Sequence, residues 1–404
     1  MDAVVLAVFA GVYAGMMLGG IPWSALDRAG VALLGAIALV ATHKISPEAA
    51  WEAVNVPTIS LLFGFMVVSS QLRLSGFYTR LGHRLASLQV SPRTLLALLV
   101  GVVGLLSAVL ANDIVCCLAM TPVLIEGCAR RGLDPIPYLL GLACAANVGS
   151  AATLIGNPQN MLIGQALHVP FTGYLLLASP PVIAGLIAVW LVISYCSAGK
   201  WTRPVPVPKV SENHFNTWQA GKGLGVVTLL VLAFLFTSWP QDVLALCAAG
   251  ALLSSRRMAS HDLLRLVDWE ILVLFIGLFI VNHVIETSGL LSVFFGILQD
   301  LGIHLKSLPW LFGVTVLLSN LVSNVPAVML LLPVATHSTA GPALALASTL
   351  AGNLLLFGSI ANIIVAEQAS KLDVHISWKM HARIGVPVTL STLAMAAGWL
   401  WLLH

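Results

Sequence analysis

The chain has 404 residues, 59% hydrophobic and only 9% charged, with 19 Lys+Arg against 16 Asp+Glu and a mean hydropathy of +0.97. A water-soluble surface needs roughly a quarter of its residues charged, so soluble enzymes, nucleic-acid binders and secreted scaffolds are excluded and an all-α polytopic membrane protein is expected. The net charge of +3 says little of partners until the cations are placed along the chain.

Segments of about 20 apolar residues predict membrane helices. Asp2 is the sole charge before Asp27, so residues 1–20 are expected to be a retained span rather than a cleaved signal. Ordinary spans follow near 3–20, 29–43 and 56–72. From Arg73 to Val90, Leu74, Phe77, Tyr78, Leu81, Leu85 and Leu88 fall on one helical face opposite Arg73, Arg80 and Arg84, predicting a helix flat on the membrane surface. Segment 94–129 is two apolar arms meeting at Asn112, too short to cross separately, and is expected to be a re-entrant hairpin. An overlong span at 136–166 carries Gly, Asn and Ser at its centre and is expected to break within the bilayer. Spans at 171–196, 223–238, 241–254 and 269–286 follow, then a second hairpin at 308–336, a second broken helix at 342–368 and a last span at 384–403. The cations agree with this map. Seventeen of 19, from Arg28 through Arg383, fall on one side, and only Lys44 and Lys306 on the other. The rich side is expected to be cytoplasmic, with both termini periplasmic or extracellular.

The pattern of five crossings and one hairpin occurs twice, in 1–197 and 223–404, joined by a polar, Pro-rich linker at 198–222. Ser75-Gly76 corresponds to Ser288-Gly289 and Asn112 to Asn324. Leu154–Ile163 (LIGNPQNMLI) matches Leu356–Val365 (LFGSIANIIV) at an offset of 202, pairing Gly156 with Gly358 and Asn160 with Asn362. An odd number of crossings per unit inverts the second copy, the architecture of secondary transporters.

Polar residues at interruptions inside the bilayer are the best pointers to a site. The hairpin tips offer Asn112 and Asp113 in one copy and Ser323 and Asn324 in the other. Asn157 and Pro158 are expected to open a half-helix as N-cap and N1 after Gly156 ends the first, and Gly358 and Ser359 to do likewise. Such starts leave N–H groups and partial positive charge aimed at the break, where an anion is the natural guest. Oxygens of Asn112, Asp113, Asn160, Ser323, Asn324 and Asn362 suit a sodium ion. Any one of these is as often packing glue as a ligand, and their recurrence at four breaks tilts the set toward function. Asp113, an acid deep in lipid, marks an ion or proton path. Glu126 is expected in a solvated pair with Arg130. No Lys or Arg falls inside an expected apolar core, which leaves an anion to helix starts and bound cations. Six cysteines in apolar runs read as buried thiols rather than a disulfide or zinc framework. The chain has no HExxH or GxSxG, so an enzyme is not expected; a passive channel is the other alternative.

At these residues the chain resembles the ion transporter superfamily, which includes divalent anion/sodium symporters, citrate carriers, sodium/proton antiporters of the NhaD type and arsenite efflux permeases. Asn147–Asn160 (NVGSAATLIGNPQN), including Thr153, resembles that group's first broken-helix motif, and Asn112 and Ser323-Asn324 match its Ser-Asn-Thr tips in part. The resemblance implies a homodimer with elevator motion and two sodium sites flanking the substrate. One would involve Asn112 with Gly149, Ser150 and Asn157. Its pseudo-symmetric counterpart would involve Ser323, Asn324, Gly352, Asn353 and Ser359. Ala111-Asn112-Asp113 with Thr121-Pro122, and Asn324-Val325-Pro326, look more like the arsenite permease branch, while LLLFGSIANIIVAEQ resembles a bacterial anion permease subgroup. The expected function is sodium- or proton-coupled transport of a small anion or oxyanion; the alternative is arsenite or antimonite efflux, or sodium/proton exchange through Asp113.

Overall fold

The computed structural model describes residues 2–20, 25–110, 113–203, 207, 215–255 and 258–403, with backbone only for 113–116. Among them the fold is all-α. The helices of the first half are α1 (Ala3–Leu18), α2 (Arg28–Ala41), α3 (Pro47–Glu52), α4 (Val56–Leu74), α5 (Phe77–Ser87), α6 (Pro92–Val109), α7 (Asp113–Arg130), α8 (Ile136–Ser150), α9 (Pro158–Ala166) and α10 (Phe171–Cys196). Those of the second are α11 (Thr217–Phe236), α12 (Gln241–Leu253), α13 (Ser260–Leu264), α14 (Trp269–Thr287), α15 (Leu290–Asp300), α16 (Leu308–Val322), α17 (Asn324–Leu331), α18 (Ala340–Ala351), α19 (Ile360–Ser370) and α20 (Trp378–Leu402). Six of them, α4, α6, α10, α11, α14 and α20, are long and apolar enough to cross a membrane. Helix α6 is among them although the first arm of segment 94–129 was expected to be too short, because Ser91 caps the helix two residues earlier and extends it to 18 residues. This is a multi-pass membrane protein.

Local chemistry sets the helix starts. Asn55, Ser91 and Asp268 place side-chain oxygens on the N–H groups of Thr58, Thr94 and Ile271 at 2.9, 3.2 and 3.2 Å, satisfying donors that a helix leaves open. Helix α11 opens at Thr217, ahead of the apolar run at 223, because Asn216 caps it through the N–H of Gln219. Gln219 then meets Gln71 of α4 amide to amide at 2.8 Å. The surface helix expected at 73–90 is α5, set off from α4 by Gly76 at φ 74°, a left-handed turn that a side chain would strain. Gly289, at φ 73°, makes the same corner before α15.

Four helices of the second half start 213 residues after their counterparts: 28 and 241, 47 and 260, 56 and 269, 77 and 290. Their packing repeats as well. Helix α4 crosses α12, and α2 crosses α14. At the first crossing Gly64 faces the backbone of Ala245, and at the second Gly277 faces the backbone of Ala32; a Cβ on either glycine would lie 2.7 Å from that backbone. Lipid gives helices no hydrophobic reason to associate, so close approach at small residues carries the contact. The two equivalent crossings exchange partners between halves, and the halves also meet where α8 packs on α18 and α19 and α9 packs on α18.

Glu126 and Arg130 pair at 2.6 Å as their spacing implies, yet Glu126 is buried rather than solvated because α5 and α8 pack on α7. Cys117, Cys128 and Cys144 are buried as expected, but Cys247 is exposed, on the outer side of the short helix α12.

Candidate functional site

Helix α8 stops at Ser150, the chain turns, and α9 restarts at Pro158 with Asn157 as its cap, Oδ1 accepting the Asn160 N–H at 2.9 Å. Helix α18 stops at Ala351, and after one 3-10 turn, Leu356–Gly358, Ser359 caps α19 by accepting the Ala361 N–H at 3.2 Å. Gly156 and Gly358 were expected to end the first halves and do not; α8 ends at Ser150 and α18 at Ala351. The glycines sit where the returning chain touches the end of the helix it has left: a Cβ on Gly156 would lie 2.0 Å from the Ser150 carbonyl oxygen, and one on Gly358 2.9 Å from that of Gly352.

Both loops are closed by the same hydrogen bonds. The Asn160 amide donates to the carbonyls of Ser150 and Thr153 at 3.3 and 3.0 Å; that of Asn362 donates to Gly352 and Leu355 at 3.0 and 3.3 Å. Every donor and acceptor in the second set lies 202 residues beyond its counterpart. The Tyr174 hydroxyl donates to the carbonyl of Ala151 at 2.8 Å, and His381 Nε2 lies 3.0 Å from that of Asn353, which fixes its proton on Nε2. The caps then cross between halves. Asn157 Nδ2 donates to Thr349 Oγ1 at 3.0 Å, and Ser359 Oγ donates to Asn147 Oδ1 at 2.6 Å, with 157 and 359, and 147 and 349, again 202 apart. Asn147 also donates to Asn353 Oδ1 at 2.7 Å and Asn362 Oδ1 at 3.2 Å.

These elements enclose a cavity of about 140 Å³. Of the residues expected to form the site, Asn147, Ser150, Gly156, Asn157, Ser323, Asn324, Gly358 and Ser359 line it. Gly149, Thr153, Asn160, Gly352, Asn353 and Asn362 do not; they hold the loops from behind. Gly149 packs on the backbone of Gly104, and Thr153 donates to the carbonyl of Ala108. Asn112 lies outside the described residues, and Asp113 is described only as the first backbone position of α7. Three helix starts therefore meet at one cavity, at Asn157, Ser323 and Ser359, each bringing the partial positive charge of a helix N-terminus. Asn157 is engaged as cap and cross-link, whereas Asn324 Oδ1 is buried without a hydrogen-bond partner. Sequence reasoning missed Thr349 and Gln159, whose amide donates to Thr349 at 3.2 Å, and it placed Arg28 in a loop; all three line the cavity.

Ser323, between α16 and α17, has φ 75° and ψ 160°, a region populated almost only by glycine and costing other residues about 1–3 kcal/mol. Such strain persists where surrounding structure or function demands it. Ser323→Gly is expected to raise the thermal unfolding midpoint of the purified protein while weakening ligand-dependent stabilisation. A lowered midpoint would show that the serine backbone is unstrained.

A wider cavity of about 740 Å³ shares Arg28, Ile271, Leu274, Phe357 and Ile360 with the first and adds Asp27, Asp268 and Glu270. Burial raises the carboxyl of Asp268 above its ordinary range, against the N–H groups of Ile271 and Glu270 that it caps.

The profile described as citrate transporter (CitMHS) matches residues 13–351. The chain belongs to the citrate transporter family. Within the family's wider relations it is similar to the silicon efflux transporter LSI3 of Oryza sativa subsp. japonica, 29% identical over 93% of this chain and 92% of that one. It is also 31% identical to the inner membrane protein YbiR of Escherichia coli (strain K12), over 83% of this chain and 85% of that one. The crystal structure of the Alcanivorax borkumensis YdaH transporter superposes with a TM-score of 0.56 at 16% identity, over 99% of this chain and 96% of that one, a likeness of fold. As a member of the citrate transporter family the protein is a membrane transporter, not an enzyme.

Proposed function

We propose that this transporter is secondary active, moving a small anion or oxyanion across the inner membrane at the expense of a sodium or proton gradient. The observation that carries the reading is the convergence of three helix starts, from both halves, on one cavity. The repeated spacings of 213 and 202 residues, the exchanged crossings and the reciprocal cap bonds support two inverted-topology repeats, 1–197 and 223–404, whose helix pairs α6/α7 and α16/α17 are re-entrant hairpins. The cation-rich loops are cytoplasmic and the termini face the other side. A homodimer moving by an elevator stroke would carry the cavity across. Sodium would take Asn324 Oδ1 as a ligand, with Ser323 and, in the other half, Asn112 and Asn157. The free acceptor at Asn324 supports this, since a buried amide oxygen without a donor fits a bound cation.

The test is sodium-dependent stability. Sodium chloride, compared with choline chloride at equal ionic strength, is expected to raise the unfolding midpoint, since a ligand at a hundred times its Kd stabilises by about 2.7 kcal/mol. In Asn324→Ala that difference should vanish. Equal midpoints in both salts for the wild type would exclude a sodium site and leave proton coupling.

A second reading is efflux of an oxyacid such as arsenite, or sodium/proton exchange, through Asp113. It draws on the position of Asp113 at the start of α7 and on the similarity to a silicon efflux transporter. Asp113→Asn should then abolish arsenite resistance conferred on a sensitive host. If no resistance is conferred by the wild type, arsenite efflux falls.

A further inference from the structure

Arg28 is the first residue of α2 and, among the described residues, the one charged side chain lining the inner cavity. It also lines the wider cavity, so it belongs to the wall that the two share. Its Nε is buried without a hydrogen-bond partner, and none of the ion pairs formed among the described residues includes it. The nearest acid in sequence, Asp27, is occupied as the cap of α2, accepting the Gly30 N–H at 2.7 Å. Asp268 is occupied likewise with Ile271 at 3.2 Å. A buried guanidinium donor left without an acceptor is costly, and a planar fork of N–H groups matches the oxygens of an oxyanion. The helix starts at Asn157, Ser323 and Ser359 line the same cavity and add partial charge of the same sign.

The wider cavity has an acidic lining. Asp27, Asp268 and Glu270 line it with Arg28, three carboxyls to one guanidinium. Repulsion from fixed acids scales with the charge of the passing anion, so a trianion meets about three times the opposition of a monoanion. We propose that Arg28 is the anion-recognising residue of this transporter, set in the wall shared by the two cavities, and that it takes a small oxyanion bearing a single negative charge. The proposal rests on the anion-transport reading and narrows its substrate class.

The experiment is thermal unfolding of the full-length protein in detergent, in a constant sodium chloride background and a mildly acidic buffer that keeps phosphate as its monoanion while citrate stays multiply charged. Potassium acetate, nitrate, dihydrogen phosphate or citrate is added, each against potassium chloride at matched ionic strength. At least one of the three monoanions is expected to stabilise the wild type, and citrate not to. Arg28→Gln should weaken the apparent affinity for that monoanion about tenfold to a hundredfold, the scale of a lost charge-assisted pair. Arg28→Lys, which keeps the charge but not the fork, should fall between. Loss in Arg28→Gln must be specific to the anion: its midpoint in chloride and its sodium response are the controls for folding. Undiminished stabilisation of Arg28→Gln overturns the assignment and leaves the anion-transport reading standing. Stabilisation by citrate alone overturns the charge class. No response of the wild type to any anion overturns the proposal and the anion reading together.

Discussion

Asn147→Leu is expected to abolish gradient-driven uptake and to lower stability by about 3 kcal/mol or more. Asn147 is the node through which the two broken helices are tied: its amide serves Asn353 and Asn362, and its oxygen accepts from Ser359. Leucine has nearly the same size but neither group, so two buried amide oxygens and one hydroxyl lose their partner. Each buried polar atom left unsatisfied costs about 1–3 kcal/mol. Asn147→Asp is no rescue, because it keeps the acceptor for Ser359 but turns a second oxygen toward the oxygens of Asn353 and Asn362. Uptake per folded molecule and the unfolding midpoint are the readouts; wild-type values of both in Asn147→Leu would remove the node from the mechanism.

Gly156→Ala is expected to leave little folded protein. The added carbon would lie 2.0 Å from the Ser150 carbonyl oxygen and 2.7 Å from its carbon, so the obstruction is backbone and no rotamer relieves it. Ordinary overpacking costs about 1–3 kcal/mol, and this overlap lies beyond the ordinary range. Gly358→Ala is the graded comparison, with its nearest atoms at 2.9 and 3.2 Å, and should be milder. Gly101→Ala in α6, which meets nothing within 4 Å, should be neutral or stabilising by up to about 1 kcal/mol, as alanine favours helix. Monodispersity after extraction and the unfolding midpoint order the three. A well-folded Gly156→Ala would mean that the returning chain does not touch α8 as described.

The comparison of these two sites shows what a one-dimensional pattern can carry. The breaks themselves were legible, because Asn157-Pro158 and Ser359 are cap chemistry written in adjacent residues. The offset of 202 was legible too, from Gly156 and Gly358. What the offset implied for Thr349, the counterpart of Asn147, required knowing that the caps reach across to the opposite half. The inward role of Asn160 and Asn362 was hidden for a related reason: an asparagine can serve as ligand or as loop clamp, and only the path of 150–156 and 352–358 turns both amides onto carbonyls. The pairing of Tyr174 with His381 was invisible because the two side chains share a function, closing on the carbonyl of 151 or 353, without sharing a residue type. Arg28 was misplaced because a span boundary drawn at the first apolar residue sets the preceding charge in solvent. Arg28 instead opens α2 and lines the cavity wall.

The most direct measurement of the central claim is accumulation of a labelled anion inside liposomes that contain the purified protein. Nitrate and dihydrogen phosphate are the probes, with an imposed sodium or proton gradient and protein-free liposomes as the blank. Accumulation of at least one of them above its equilibrium level is expected, with collapse of that excess when an ionophore dissipates the driving gradient and its loss in Asn147→Leu. Equilibration without excess under either gradient would describe a channel and contradict the account.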